Sequence, residues 1–231
     1  MACHQRAGQG KPSDADSAIR LLILGATKRT SAQLLNQGLG EGHEVTAFAR
    51  RPSALARYGS RIRVVQGDIA VASSVDRAIP GHDAVLSALG SPTLRPNTVL
   101  SDGIRHVLAA MKDHGVRRLL AMSALGVGET RGQLGPVYNL LLIPLLLRNT
   151  FLEKERMETY IKAVEVEWTI VRPAALTNGP ARGRYRTPLA DVQPPRFPRI
   201  SRADVAGFML AEMQQRRFVR QAVGLWDEPQ R

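Results

Sequence analysis

The chain has 231 residues, 44% of them hydrophobic and 23% charged, a balance that excludes a wholly disordered or collagen-like protein and suits one generous domain or two very small ones. Its single cysteine, Cys3, excludes an intrachain disulfide and a multi-cysteine zinc site, and His4, His43, His82, His106 and His114 stand in no metalloprotease spacing, so no bound metal is expected. The net charge of +12 comes from arginine, only five of the 32 basic residues being lysine; that leaves an anionic cofactor or substrate, nucleic acid, or simply an arginine-rich surface, and the even spread favours the last for the bulk of the charge.

Residues 1–18 carry Gly, Pro, Ser, Asp and Gln without an apolar run. They read as a disordered lead-in rather than a secretory signal, and a cytoplasmic location is expected. From Leu21 onward, short apolar runs alternate with amphipathic stretches. LLIL (21–24) meets Gly25, EVTAF (44–48) meets Arg50, and 63–65 meets Gly67-Asp68. AVL (84–86) meets Leu89-Gly90, LLAM (119–122) meets Ser123, and WTIV (168–171) meets Arg172-Pro173. Runs this short, with no polar alternation, are the pattern of parallel strands buried on both faces.

Helices are predicted between them over 32–40, 72–79, 99–114, 151–164 and 204–215. Strand–helix alternation repeated about six times predicts an α/β fold, a Rossmann-type doubly wound parallel sheet, with a ligand crevice at the carboxyl ends of the strands. One domain over 19–231 is expected, with a small irregular lobe over about 173–200 where Pro, Gly and Arg concentrate. Tyr138–Leu147 (YNLLLIPLLL) is too short to span a bilayer, which takes about 20 residues. It reads as a buried or pocket-lining helix, with membrane-surface attachment second. Asp204 reads as a helix-start element after Ser201, and Trp168 and Trp226 as strand-packing aromatics.

The strongest chemical signal is LLILGATKRTSAQLL (21–35), a strand, a turn and a helix. Such a turn brings backbone N–H groups and a helix start to a pyrophosphate. In a G-x-x-G-x-x-G frame the positions are Gly25, Lys28 and Ser31, so two glycines are absent. Lys28, Arg29 and Thr30 either replace what those glycines supplied or crowd the phosphate. Arg50 and Arg51 end the second strand where NAD would need an acidic residue for its ribose; they suit the 2′-phosphate of NADP(H), or they are solvated surface arginines.

GAT at 25–27, the two arginines at 50–51, GDI at 67–69, DAVLSALG at 83–90, MSALG at 122–126 and TIVRPAALTNG at 169–179 together resemble the atypical short-chain dehydrogenase/reductase superfamily. More narrowly the chain is similar to its NmrA-like, NAD(P)-binding group and to the flavin reductases of biliverdin reductase B type, over residues 19 to 226. The resemblance implies that Gly25, Thr27, Lys28, Arg29 and Thr30 surround a pyrophosphate and that Arg50 and Arg51 meet the 2′-phosphate. It implies that Asp68 and Ile69 flank the adenine and that Leu89 and Gly90 pass under the ribose and pyrophosphate. It further implies that Ser123 stands beside the nicotinamide and that Pro173, Ala174, Ala175 and Leu176 line its carboxamide side.

The chain departs from this pattern in two places. The Y-x-x-x-K pair is missing, since Tyr138 is followed four residues on by Leu142 and Tyr160 by Val164. The histidine that the biliverdin-type reductases carry after the sixth strand is matched by Ala174. Lys154 aligns with a lysine of the isoflavone-reductase-like members, where it would orient the cofactor or donate a proton; beside Glu153, Glu155 and Arg156 it reads first as a surface lysine on a charged helix face.

The expected activity is NADPH-dependent hydride transfer to a small apolar or conjugated acceptor such as a flavin, quinone or carbonyl compound, with Ser123 and Lys154 as catalytic candidates. Alternatives are an NADP-binding sensor without turnover, or a non-redox isomerase, cyclase or dehydratase on the same scaffold. Nucleic-acid binding ranks last, because aromatics are 5% and no recognition motif appears. No membrane span is expected, and the chain reads as a monomer or weak homo-oligomer.

Overall fold

The structure, a computed structural model, describes residues 18–91, 93–189 and 192–228; nearly all of the expected lead-in therefore lies outside the described residues. The first six strands fall where the apolar runs predict: β1 (Arg20–Leu24), β2 (Glu44–Ala49), β3 (Arg63–Gln66), β4 (Ala84–Ser87), β5 (Arg118–Met122) and β6 (Glu167–Pro173). Three short strands follow, β7 (Ala175–Thr177), β8 (Tyr185–Arg186) and β9 (Arg199–Ser201), and then β10 (Gln221–Asp227). The main sheet has the order β3-β2-β1-β4-β5-β6-β10-β8, parallel throughout except for β8, while β7 and β9 pair separately. Sequence reading stopped at six strands. The seventh parallel one, β10, pairs with β6 from Gln221↔Thr169 to Leu225↔Pro173.

The physical reason for the apolar runs is visible in β1. Leu21 and Ile23 enter one core with α1 (Arg29–Gly40) and α5 (Arg202–Gln215). Leu22 and Leu24 enter the other, with α2 (Ala72–Asp76), α3 (Val99–Asp113) and α4 (Arg148–Lys162). Successive side chains point to opposite faces, and with helices on both faces every position is buried. Each fully buried leucine contributes about 1.5–3 kcal/mol. The strand order reverses between β1 and β4, so the β1–α1 and β4–α3 connections diverge there and open the crevice.

Val137–Leu147 corrects one expectation. It is a π-helical segment with no buried residue, and Leu140, Leu141, Leu145 and Leu146 are 53–78% exposed. Winding that repeats at i+5 aligns 140 with 145 and 141 with 146 on the outer side. Only the inner side, with Ile143 and Pro144, lines a cleft, over Gly126, Val127, Phe151 and Leu152. A second element went unpredicted: the 3-10 segment Pro52–Arg61, which buries Leu55 and Tyr58. Among the described residues no helix is long and apolar enough to cross a membrane.

Candidate functional site

Gly25 ends β1 with φ +77°, and a Cβ there would lie 3.2 Å from the Ala88 carbonyl oxygen and 3.3 Å from the Leu89 Cα. Only glycine suits both the backbone angle and the approach to the end of β4. The two absent glycines are explained by the same local geometry. Lys28 caps α1 in an extended conformation, φ −91° and ψ 161°, which needs no glycine. Ser31 is fully buried, and its Oγ donates to the Gly25 carbonyl at 2.7 Å while the Lys28 N–H donates to the same oxygen at 3.1 Å. The turn is thus closed by a side chain rather than by a third glycine. Thr30, foreseen near a phosphate, is buried at the start of α1.

This turn forms one wall of a cleft. Gly25, Ala26, Thr27 and Lys28 face Arg50 and Arg51, Asp68 and Ile69, and Leu89 and Gly90. Arg29, expected among them, lines a neighbouring cleft instead. Five lining residues are not among the predicted site residues: Ala26, Phe48, Ala49, Gly67 and Val99. Gly67 had a signal in its GDI motif. A Cβ there would sit 2.3 Å from Phe48 Cε2, so the glycine makes room for the ring. The Asp68 carboxylate accepts the Ala70 N–H at 3.0 Å, and Ser74 Oγ holds the Asp68 N–H at 3.1 Å, which fixes the β3–α2 loop. Arg50 and Arg51 are exposed and join no carboxylate within 4.0 Å among the described residues.

The remaining predicted residues gather elsewhere, at the carboxyl ends of β5 and β6. The Ser123 N–H donates to the Val171 carbonyl at 2.7 Å, and Leu125 N–H to Pro173 at 3.0 Å. Ala174 N–H donates to Leu225 at 2.9 Å, and Ala175 N–H to Pro198 at 3.2 Å. Pro173 and Ala174 are buried, Leu176 is half-buried and Ala175 is exposed. Ser123 is buried, yet its Oγ has no hydrogen-bond partner among the described residues.

Lys154 is the largest correction: it is buried, not a surface lysine. Its Nζ donates to the Ser123 carbonyl at 2.9 Å and to Met122 at 3.3 Å, so it tethers α4 to the end of β5. An ammonium has three donors, and two are used here. Burial pushes its pKa down to about 8, against a smaller raising effect of Glu158. Of the neighbours that made α4 look like a charged surface, Glu153 is partnered inward, while Glu155 pairs with the exposed Arg131 and Arg156 is itself exposed. Glu153 accepts the Ser101 hydroxyl at 3.1 Å, and Glu158 pairs with the fully buried Arg172.

Asp204 is the helix-start element expected of it. Its N–H donates to Ser201 Oγ at 2.9 Å, and its carboxylate accepts Arg182 N–H and Gly183 N–H, each at 2.8 Å. The four described histidines all have partners: His43 with the Ile19 N–H and Gln214, His82 with the Ile79 carbonyl, His106 with the Ile69 carbonyl and His114 with Asp76.

The arrangement fits a dinucleotide. A glycine-only approach lies at the strand order reversal, and among the described residues the guanidinium groups after the second strand meet no carboxylate and the Ser123 hydroxyl after the fifth has no partner.

Known proteins agree with this reading. An uncharacterized chloroplastic protein of Arabidopsis thaliana is 27% identical over 186 residues, covering 76% of this chain and 65% of that protein. The (4-alkanoyl-5-oxo-2,5-dihydrofuran-3-yl)methyl phosphate reductase of Streptomyces griseus is 28% identical over 155 residues, covering 66% of this chain and 46% of the reductase. The chain therefore spans about half to two thirds of the length of these relatives. Among solved structures, the anaerobillin reductase ChuY of Escherichia coli O157:H7 superposes with a TM-score of 0.77 at 21% identity, over 92% of this chain and 98% of ChuY, a likeness of fold. Residues 25–216 match the NAD(P)H-binding family over most of the chain, and the protein belongs to that family.

Proposed function

We propose that the protein is an NADPH-dependent reductase that passes hydride to a small conjugated acceptor. The observation that carries the choice of NADPH is the pair Arg50 and Arg51 on the cleft wall, free of any carboxylate among the described residues. A 2′-phosphate gives these guanidinium groups the dianion they lack. In this reading Gly25, Thr27 and Lys28 bind the pyrophosphate, Asp68, Ile69 and Phe48 enclose the adenine, and Leu89 and Gly90 underlie the ribose.

Bound NADPH supplies the hydride; the chain supplies orientation, dryness and a proton. Ser123 Oγ, without a partner among the described residues, holds the nicotinamide or the acceptor by a hydrogen bond. Lys154, with one N–H left over and a pKa near 8, is the proton donor of this reading, held at the end of β5 by the Met122 and Ser123 carbonyls. Pro173, Ala174, Ala175 and Leu176 form the carboxamide side. The Streptomyces relative supports the acceptor class, because its named substrate is a ring carbonyl conjugated to a carbon–carbon double bond.

The test is consumption of NADPH, followed by its absorbance, with flavin, quinone and conjugated-lactone acceptors. Turnover with NADPH preferred over NADH is expected, and the rate falls above about pH 8 with that limb lost in Lys154→Met. Tight NADPH binding with no turnover on any acceptor class would instead make the protein a sensor.

A further inference from the structure

A second cleft, of about 310 Å³, adjoins the first and shares only Thr27 and Lys28 with it. Its walls are the start of α1 with Arg29, Arg57 from the 3-10 segment, Asn178 and Gly179 after β7, and Arg202 at the start of α5. Four cations, Lys28, Arg29, Arg57 and Arg202, line it, and no carboxylate does. None of the four pairs with an acidic group within 4.0 Å among the described residues. Several exposed arginines elsewhere are answered, Arg20 by Asp83, Arg131 by Glu155, Arg216 by Glu167 and Arg220 by Glu165, whereas this cleft gathers four cations in one place with no acidic partner among the described residues. Four converging charges left unneutralised repel one another, and an anion removes that cost.

We propose that this cleft binds the phosphate group of a small phosphorylated molecule other than the nicotinamide cofactor. Charge selects phosphate over a single carboxylate, because a dianion answers more of the four cations and accepts guanidinium forks bidentately. Arg202 is already oriented: its Nη1 donates to Asn178 Oδ1 at 2.7 Å and to the Leu176 carbonyl at 3.3 Å. Arg57 is held over the Tyr58 ring, 5.0 Å from its centre. The charge of Arg29 adds to burial in lowering the Arg202 pKa, a stress that an anion between them reverses. No aromatic ring lines the cleft, and Ala32 and Ala203 are its apolar contacts, so a flavin or nucleobase has nothing to stack on. The amides of Gln33 and Asn178 suit hydroxyl groups on the rest of a polar ligand.

The inference rests on the dinucleotide taking the first cleft. Arg57 and Arg202 do not line that cleft, and Arg50 and Arg51 do not line this one, so the two sites meet only at Thr27 and Lys28 and the second keeps Arg29, Arg57 and Arg202 when the first is filled. The experiment is calorimetric titration of inorganic phosphate into the NADPH-saturated chain, with chloride holding the ionic strength constant. One saturable phosphate per chain is expected. In the Arg57→Gln/Arg202→Gln variant its affinity falls about tenfold or more, while NADPH affinity stays within about twofold and reports an intact fold.

Absence of saturable binding to the loaded chain overturns the proposal, as does binding unchanged in the double variant. Phosphate displaced by NADPH but not by NADH also overturns it, by assigning the cleft to the cofactor's own 2′-phosphate. If NADPH itself fails to bind, the same titration on Arg50→Gln/Arg51→Gln separates the two readings. Saturable phosphate binding that disappears when Arg57 and Arg202 are also changed then upholds the second cleft without the first.

Discussion

The arginines inside the molecule and those at its carboxyl-edge clefts differ in one respect, their counter-charges. Arg118 is buried between β5, β6 and α5, where it donates to Glu212 Oε1 at 3.0 Å, the Glu212 carbonyl at 2.9 Å and Thr169 Oγ1 at 2.9 Å. Arg172 in β6 meets Glu158 and Glu129, and Lys162 reaches Glu129 at 2.6 Å. At the clefts Lys28, Arg29, Arg50, Arg51, Arg57 and Arg202 meet no carboxylate among the described residues. Both populations have the same side-chain chemistry. Burial without a partner is prohibitive, so the inner set must be neutralised by the fold; the outer set is solvated and free to be neutralised by a ligand.

The comparison breaks most visibly through the inner set. Arg172→Met leaves the buried Glu158 with only Lys162, at 3.6 Å, and stability by urea denaturation is expected to fall by about 3 kcal/mol, much of it restored in Arg172→Met/Glu158→Leu. A single-variant loss near zero would show that the inner pairs do not hold β6.

Lys154 sharpens the comparison, because it is an inner cation without a close carboxylate. Its pKa lies at about 8 in the fold against 10.5 when free. Between those values the unfolded chain holds the proton and the folded chain does not, so stability rises with pH across that window. Below about 8 both states are charged and the folded state bears the full cost, of order 3 kcal/mol. Lys154→Met is expected to flatten this rise in denaturation midpoints taken from neutral to alkaline pH.

Arg50→Gln tests the outer set. NADPH affinity is expected to fall by about 1.5–3 kcal/mol with NADH affinity unchanged, and the melting temperature should barely move. Equal losses for both nucleotides would remove Arg50 from the 2′-phosphate. Smallest is Ser31→Ala, which opens the turn by deleting its bond to Gly25 and costs about 1 kcal/mol in stability.

How much of this was legible beforehand follows from the range of the interactions. The first six strands were readable because burial on both faces leaves a local mark, an unbroken apolar run. Strand β10 also reads AVGLW and follows the predicted helix over 204–215, but Gly224 interrupts its apolar run and its partner β6 lies about 50 residues away. The first cleft was legible through Gly25, Arg50, Arg51, Asp68 and Gly90, each at a strand end. Phe48 was not, since its ring reaches the cleft only through the space that Gly67 leaves. Arg57 and Arg202 had no local signal, because nothing in either segment tells that α1 and α5 lie side by side.

The sequence by itself determined the α/β alternation, the turn after β1 and the two arginines after β2, since each depends on neighbours within a few residues and on the periodicity of a single element. Only the tertiary structure decided which charges are buried and which remain open. Glu153 finds Ser101 at a separation of 52 residues, Lys154 finds Ser123 at 31 and Arg118 finds Glu212 at 94. A charge is read as surface or core by what packs over it, and that covering arrives from distant segments that local pattern does not encode.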